Sequence, residues 1–345
     1  MTGLAGSGLK DGFGRKITYL RVSVTDKCNM RCVYCMPEEG VEPRAHDEIL
    51  RLEEIARVVR VASGLGITRV RLTGGEPLVR KGIVDLVKML ASIPGVQDLS
   101  MTTNAALLES YAGDLAASGL SRVNVSLDTL RPDTYVRITR RGDISTVLAG
   151  IEAAERAGLR PIKLNVVVLR GINSDEIEDL AKLTLQYEWD VRFIEFMPFW
   201  GNGGAFGPSY VVPIDEIRGR VRSLGARPLG RTGSAGYPGE HQGGAGPATY
   251  MRLPGAAGRV GFISREGDEF CTGCNRIRLT ADGALRPCLL SGLAVDLKRP
   301  LRNGADDAAV AALIREAVGL KPESGRGCVG PGRSWEAPPL SRIGG

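Results

Sequence analysis

The chain has 345 residues, 43% of them hydrophobic, and 45 Lys and Arg against 39 Asp and Glu for a net charge of +6. That length suits about two domains or one α/β barrel with a large core, and no apolar run approaches the roughly 20 residues of a membrane-spanning helix. Two histidines exclude His-rich metal sites and most His-based acid–base schemes.

Residues 1–14 are Gly-rich and lack the apolar centre of a signal peptide, so the expectation is a cytoplasmic protein with reduced thiols. The positive balance suits an anionic partner. No dense Lys/Arg run marks a nucleic-acid track, so neither nucleic acid nor membrane is expected as a partner. Seven cysteines fall as three (28, 32, 35), three (271, 274, 288) and one (Cys328). This grouping is poor for disulfides and good for two metal sites and a spare thiol.

In chain order, an apolar run from Ile17 to Val24 predicts a strand that leads into Cys28-Asn29-Met30-Arg31-Cys32-Val33-Tyr34-Cys35. A helix follows over Leu52–Val61, closed by Gly64 and Gly66, and then a strand over Thr68–Thr73 that ends in Gly74-Gly75-Glu76-Pro77. The pattern then repeats: helices near 81–91, 106–118, 145–157 and 175–187 alternate with strands near 97–102, 122–127, 162–169 and 191–197. Six strands with helices between them read as βαβ units on a parallel sheet, either part of a barrel or an open doubly wound sheet. In both architectures ligands bind at the carboxyl ends of the strands. Gly75, Thr102, Ser126, Leu127, Asp128, Met197 and Pro198 lie at those ends and are expected to converge with the cysteine loop, while Lys163 falls inside the fifth strand. Between 199 and 258 the chain is mostly Gly- and Pro-rich loop with a short helix near 213–224, and two strands are predicted at 250–253 and 259–263. The second cysteine group, a helix near 306–319 and a Gly/Pro/Arg-rich tail complete the chain. The division expected is 1–14, 15–200, 201–258, 259–320 and 321–345.

Four thiolates complete a zinc site or saturate a four-iron cluster, whereas three on one loop hold three irons and leave the fourth open to chemistry. The spacing alone also allows plain thiols or a zinc knuckle completed from elsewhere. Cys271-Thr272-Gly273-Cys274, with thirteen residues before Cys288, again offers three ligands, for structural zinc or a second iron–sulfur cluster. On a strand, Arg276 and Arg278 would point the same way, suited to phosphate or merely solvated.

Several stretches resemble the GTP 3′,8-cyclase family (molybdenum cofactor biosynthesis protein A) within the radical S-adenosylmethionine (SAM) superfamily. They are Ile17–Cys28, the C-x₃-C-x₂-C loop, Arg71–Leu78, Arg192–Pro198, Gly261–Ser264, the C-x₂-C-N-R-I-R segment, Leu285–Leu289 and the terminal Gly344-Gly345. The resemblance implies an incomplete (β/α)6 barrel whose C-terminal extension carries a second iron–sulfur cluster and covers the mouth, usually in a homodimer. Cys28, Cys32 and Cys35 would hold a 4Fe-4S cluster whose open iron chelates SAM, and Cys271, Cys274 and Cys288 a second 4Fe-4S cluster facing the purine of GTP. Tyr34, Gly75, Ser126 and Met197 match SAM-contacting positions; Arg21, Arg71, Thr102, Lys163, Arg192, Arg276, Ile277 and Arg278 match GTP-binding ones. The implied reaction cleaves SAM to a 5′-deoxyadenosyl radical, which takes hydrogen from ribose C3′ of GTP, and the carbon radical then adds to guanine C8. Arg276, Arg278, Gly344 and Gly345 would assist this step. A reducing electron donor and transfer of the product to cyclic pyranopterin monophosphate synthase are also implied. Gly74 and Gly75, without side chains, are expected to let the backbone approach the methionine part of SAM. The family's His- and Met-containing stretch before the last glycines has no counterpart in Gly325–Pro339, and 201–207 and 231–248 also depart from it. A peptide- or RNA-modifying radical enzyme and a zinc-bound nucleotide-binding module are the competing readings. Neither the first of these nor its substrate needs so many arginines around one cavity.

Overall fold

The computed structural model describes residues 8–198, 206–229, 248–264, 271–325 and 340–343. Gly344, Gly345, Cys328, His241, loop 231–247 and most of 201–207 lie outside them. Six strands, Tyr19–Ser23 (β1), Arg69–Thr73 (β2), Asp98–Thr103 (β3), Arg122–Ser126 (β4), Lys163–Val168 (β5) and Asp190–Glu195 (β6), pair in sequence order, each parallel to the next. The helices Leu52–Gly64 (α1), Ile83–Ala91 (α2), Leu108–Ala117 (α3), Pro132–Thr139 (α4), Ile144–Arg156 (α5) and Ile177–Gln186 (α6) connect them. The alternation expected from the sequence is present, with α4 added.

The sheet continues beyond the six units on both sides. After Ile214–Ser223 (α7) and Arg227–Pro228 (β7), Thr249–Arg252 (β8) turns back antiparallel into Arg259–Ile263 (β9), which lies parallel to β6. Arg276–Leu279 (β10) lies parallel to β1 on the opposite flank, followed by antiparallel Ala284–Arg286 (β11) and Val295–Asp296 (β12). Among the described residues the order is β12-β11-β10-β1-β2-β3-β4-β5-β6-β9-β8-β7, twelve strands that do not close into a ring.

Parallel strands covered on both faces ordinarily read as continuous apolar runs. Here they alternate. Leu20, Val22, Val70, Leu72, Val123, Val125, Leu164 and Val166 pack under the helices as fully buried core. The intervening residues, Arg21, Arg71, Ser100, Thr102, Asn124, Lys163, Asn165 and Arg192, line the other face in register. That face is strongly curved. In a flat sheet, β2 and β6 would be about 19 Å apart at about 4.8 Å per strand. Yet the charge of Arg192 on β6 acts directly on Arg71 of β2 and even on Arg21 of β1. The Asn124 amide on β4, with its oxygen toward the guanidiniums, accepts from both Arg71 (Nη2, 3.2 Å) and Arg192 (Nη2, 3.3 Å). The sheet therefore wraps a polar chamber. Among the described residues no helix is long and apolar enough to cross a membrane.

Candidate active site

The loops at the carboxyl ends of the strands are bonded directly to one another around the first cysteine loop. Gly75 N–H donates to Thr25 O at 2.8 Å and Glu76 N–H to Lys27 O at 2.8 Å, so the turn after β2 pairs with the backbone leading into Cys28. The buried Glu76 carboxylate accepts from Thr103 Oγ1 (2.7 Å), Asn104 N–H (2.7 Å) and Leu78 N–H (3.0 Å), which joins the end of β3. Burial lifts the Glu76 pKa to about 7 against these three bonds. Asn104 Nδ2 reaches Asn29 Oδ1 at 2.8 Å. Tyr34 Oη donates to Asp128 Oδ2 at 2.7 Å, and Asp128 Oδ1 accepts Val167 N–H at 2.7 Å, joining β4 and β5.

Helix α4 completes this cradle. Its last carbonyls, which have no partner within the helix, accept from the cysteine loop: Arg31 N–H to Thr139 O at 3.0 Å and Val33 N–H to Ile138 O at 2.9 Å. Arg140, in the left-handed region at φ 60°, caps the helix, and its Nη1 donates to Arg31 O (3.1 Å) and Met36 O (3.3 Å). Arg31 Nη1 in turn holds Cys28 O at 2.7 Å and Met30 O at 2.8 Å. The loop is thus fixed on several sides before any ligand enters.

The space beside Gly75 is taken by protein: a Cβ there would overlap the Lys27 carbonyl, lying 2.6 Å from its carbon and 2.7 Å from Asp26 O. Gly75 serves first to seat the cysteine loop backbone-to-backbone. Gly75→Ala is expected to cost about 1–3 kcal/mol, the range for overpacking a tight site, and to lower the iron bound at the first loop. Thermal melting and iron per chain measure both, and an unchanged melting temperature would refute the account.

Cys28, Cys32 and Cys35 are reduced and partly buried on this loop. Burial pushes the Cys28 thiol up to about 11 and, together with its neighbour Cys35, moves Cys32 well above the ordinary thiol range. Three thiolates here need more positive charge than Arg31 gives, and a metal cluster supplies it. Met30 N–H already points at Cys28 Sγ (3.4 Å). Among the described residues no three Cys, His, Asp or Glu side chains stand closed on one point. What fits a cluster is therefore the donor set on a pre-built loop.

The chamber beneath gathers the arginines expected to bind substrate. Arg278, Arg21 and Arg71 stand side by side on β10, β1 and β2. Burial, then the charges of Arg278, Arg276 and Arg192, pushes the Arg21 guanidinium down to about 9. Burial also takes Arg71 to about 9, with Arg21, Arg192 and Arg122 adding repulsion. Neutral amides space these charges: Asn124 sits between Arg71 and Arg192, and Asn165 Oδ1 accepts from Arg192 Nη2 at 2.6 Å. Gly261, beside Arg192 across the β6–β9 pair, leaves room for its stem, since a Cβ would come 2.8 Å from Arg192 Cγ. Lys163 opens β5, 3.2 Å from Asp190, which Arg259 also grips at 2.8 Å. Thr102 and Ser126 face the same chamber, and Met197 comes two residues after the end of β6. Ile277 does not join them. It pairs with Leu20 in the core, so only its backbone borders the chamber.

Cys271, Cys274 and Cys288 line a second pocket with Arg276 and Arg278. Burial works against a Cys274 thiolate, but Arg276 and Lys321 outweigh it and bring the thiol down to about 6. Reduced, soft donors in a cationic pocket suit a metal cluster. The pair Arg276 and Arg278 links this pocket to the chamber, as the strand reading predicts. Asn104, Asn124, Arg140, Asn165 and Lys321 were not singled out from the sequence as site residues, whereas Asp128, expected at a strand end, does meet the cysteine loop through Tyr34. The polar alternation within β4 and β5 was the available signal for the two chamber amides.

The Radical SAM superfamily model matches residues 22–184, and the Molybdenum Cofactor Synthesis C model matches residues 189–326. The GTP 3′,8-cyclase of Pelotomaculum thermopropionicum is 51% identical over 315 residues, 91% of this chain and 94% of that protein. Its counterpart from Moorella thermoacetica is 52% identical over 314 residues, with the same coverage of 91% and 94%. Among solved structures, Streptococcus suis SuiB bound to S-adenosylmethionine shares the fold, with a TM-score of 0.59 and 16% identity over 87% of this chain and 68% of that one. With both family models matched in order and about half of all residues identical over nine-tenths of the length, the chain belongs to the GTP 3′,8-cyclase family of radical SAM enzymes.

Proposed function

We infer that this chain cyclises GTP to (8S)-3′,8-cyclo-7,8-dihydroguanosine 5′-triphosphate, the first step of molybdenum cofactor biosynthesis, inside the curved chamber between its two thiol triplets. The observation that carries this reading is the meeting of Arg21, Arg71, Arg192, Arg276 and Arg278, from four strands, in one buried space. Guanidiniums that repel one another stay charged at little cost only when an anion joins them, and a triphosphate is such an anion. In this assignment Arg21, Arg71, Arg192 and Lys163 hold phosphates with Thr102, while Arg276, Arg278 and the Ile277 backbone orient the nucleoside. Tyr34, Gly75, Ser126 and Met197 border SAM. A cluster on Cys28, Cys32 and Cys35, with SAM bound, supplies reductive cleavage of SAM. Cys271, Cys274 and Cys288 would hold the second cluster beside the purine, and Gly344 and Gly345 would complete the site. The reading extends to a low-potential reductant, a homodimer and passage of the product to cyclic pyranopterin monophosphate synthase.

Anaerobic incubation with GTP, SAM and dithionite tests it. The expected product is a nucleotide of the same mass as GTP but distinct on chromatography, formed with an equal amount of 5′-deoxyadenosine. Recovery of unmodified GTP alone would overturn the reading.

Proton linkage gives an independent check. Burial lowers Lys163 to about 8 from 10.5, despite Asp190 and with help from Arg192 and Arg122. A cation whose folded pKa is depressed disfavours folding below about 8, and that penalty fades as pH rises from 8 toward 10.5. GTP would raise the depressed pKa, so its binding near pH 8.5 takes up protons and its affinity falls as pH rises further. Calorimetry in buffers of different ionisation enthalpy should show net uptake, reduced in Lys163→Met. Net release would contradict it.

A further inference from the structure

Among the described residues, each sulfur of the second triplet receives at least one N–H group. Leu290 N–H reaches Cys288 Sγ at 3.4 Å from the triplet's own loop. The other two donors come from a single five-residue segment: Lys321 Nζ meets Cys274 Sγ at 3.3 Å, and Gly325 N–H meets Cys271 Sγ at 3.4 Å. Lys321 is only 3% exposed, although a buried ammonium is expensive unless it is paired. Its other two contacts are the carbonyls of Arg276 and Pro287, each at 2.8 Å, which adjoin the two arms of the triplet. Three donors therefore end on three acceptors, and the sulfur is the one of these that can carry charge.

The segment is also pinned from outside. Arg15 Nη1 donates to Cys271 O (2.7 Å) and Glu323 O (2.8 Å), and Nη2 to Pro322 O (2.5 Å). Asp11 Oδ2 fixes the Arg15 Nε at 2.6 Å. A residue near the beginning of the chain thus fastens this strap to the backbone of a candidate ligand.

We propose that Lys321 is a positioning residue of the second triplet: carried across it by the strap Lys321–Gly325, its ammonium steadies the Cys274 sulfur as a ligand and makes a cluster bound there easier to reduce. The proposal rests on the reading of this triplet as an iron–sulfur site. Net charge and hydrogen bonds to sulfur are among the main determinants of cluster potential, and groups that support ligands typically change metal affinity by about 10- to 100-fold.

The test uses the full chain with Cys28, Cys32 and Cys35 all replaced by Ser, so that only the second triplet can be loaded. Anaerobic reconstitution should give about four irons per chain, the content of one such cluster. In that background Lys321→Met should shift the cluster's midpoint, followed by electron paramagnetic resonance, to a more negative value and speed iron loss to a chelator by about 10- to 100-fold. Lys321→Arg, which keeps the charge, should bring the midpoint back toward the parent. An unchanged midpoint and iron retention in Lys321→Met would overturn the proposal. If that variant loads no iron, parent protein labelled with ¹⁵N at its lysine side chains decides. A ¹⁵N coupling on the reduced cluster supports the contact, and its absence refutes it. A parent that binds no iron would instead sink the second-cluster reading, and the proposal with it.

Discussion

Cys32→Ser is expected to reduce 5′-deoxyadenosine formation to background, while the chain stays folded and keeps the iron of its second triplet. The sulfur belongs to a loop whose backbone is held by Gly75, by the carboxyl end of α4 and by Arg140, none of which the substitution touches. Serine is nearly isosteric, and a half-buried thiol exchanged for a hydroxyl costs little stability compared with core truncations. A serine oxygen is a harder donor that stays protonated, so the site loses a soft anionic ligand. The measurements are iron per chain, the melting temperature and chromatography of 5′-deoxyadenosine. Undiminished 5′-deoxyadenosine would mean that SAM is cleaved elsewhere, and a collapsed melting temperature would mean that the thiol is structural.

The second large effect is expected from Asn124→Asp. Asn124 is fully buried between two guanidiniums, and the substitution changes almost no volume. In the free protein a carboxylate there would pair with both Arg71 and Arg192 and relieve their mutual repulsion. Stability should therefore rise, by about 1–3 kcal/mol for bonds of charged groups. The same pairing removes positive charge from the chamber. GTP affinity should fall by about tenfold to a hundredfold, the equivalent of about 1.5–3 kcal/mol. Opposite signs for stability and binding are the mark of a site that keeps charge uncompensated for its ligand. Equilibrium unfolding and GTP titration would read the two effects. Unchanged affinity would remove the triphosphate from this chamber, and lowered stability would show that the arginines are not crowded.

Much of this was legible in the sequence because it is local. The βα alternation, the turn after β2 and the two cysteine triplets each occupy a short stretch with its own pattern. In β4, Arg122-Val123-Asn124-Val125-Ser126 alternates polar and apolar where a parallel strand covered on both faces should not. That alternation already describes a wet interior. What the sequence hid depends on distant partners. Helix α4 has eight residues, three of them buried, and opens on Pro132; it is held largely by the loop that caps its carbonyls. Asn104 and Lys321 acquire roles only from groups they meet across the fold, 75 and 47 positions away. The close packing of Gly75 against Lys27, from another loop, was hidden for the same reason.

The C-terminal part supplies the outer neighbour on both flanks of the six units, with β9 on β6 and β10 on β1. During synthesis, Tyr19 must wait for Arg276 before its strand is paired on both sides. Until then β1 and β6 present open hydrogen-bonding edges, which invite pairing with other chains. A polypeptide that stops before residue 259 would keep both edges bare and leave Arg21 without Arg278 beside it. The nascent protein therefore finishes its anion-binding surface last, and a prematurely terminated copy should be captured by chaperones or aggregate rather than persist as a half-active enzyme.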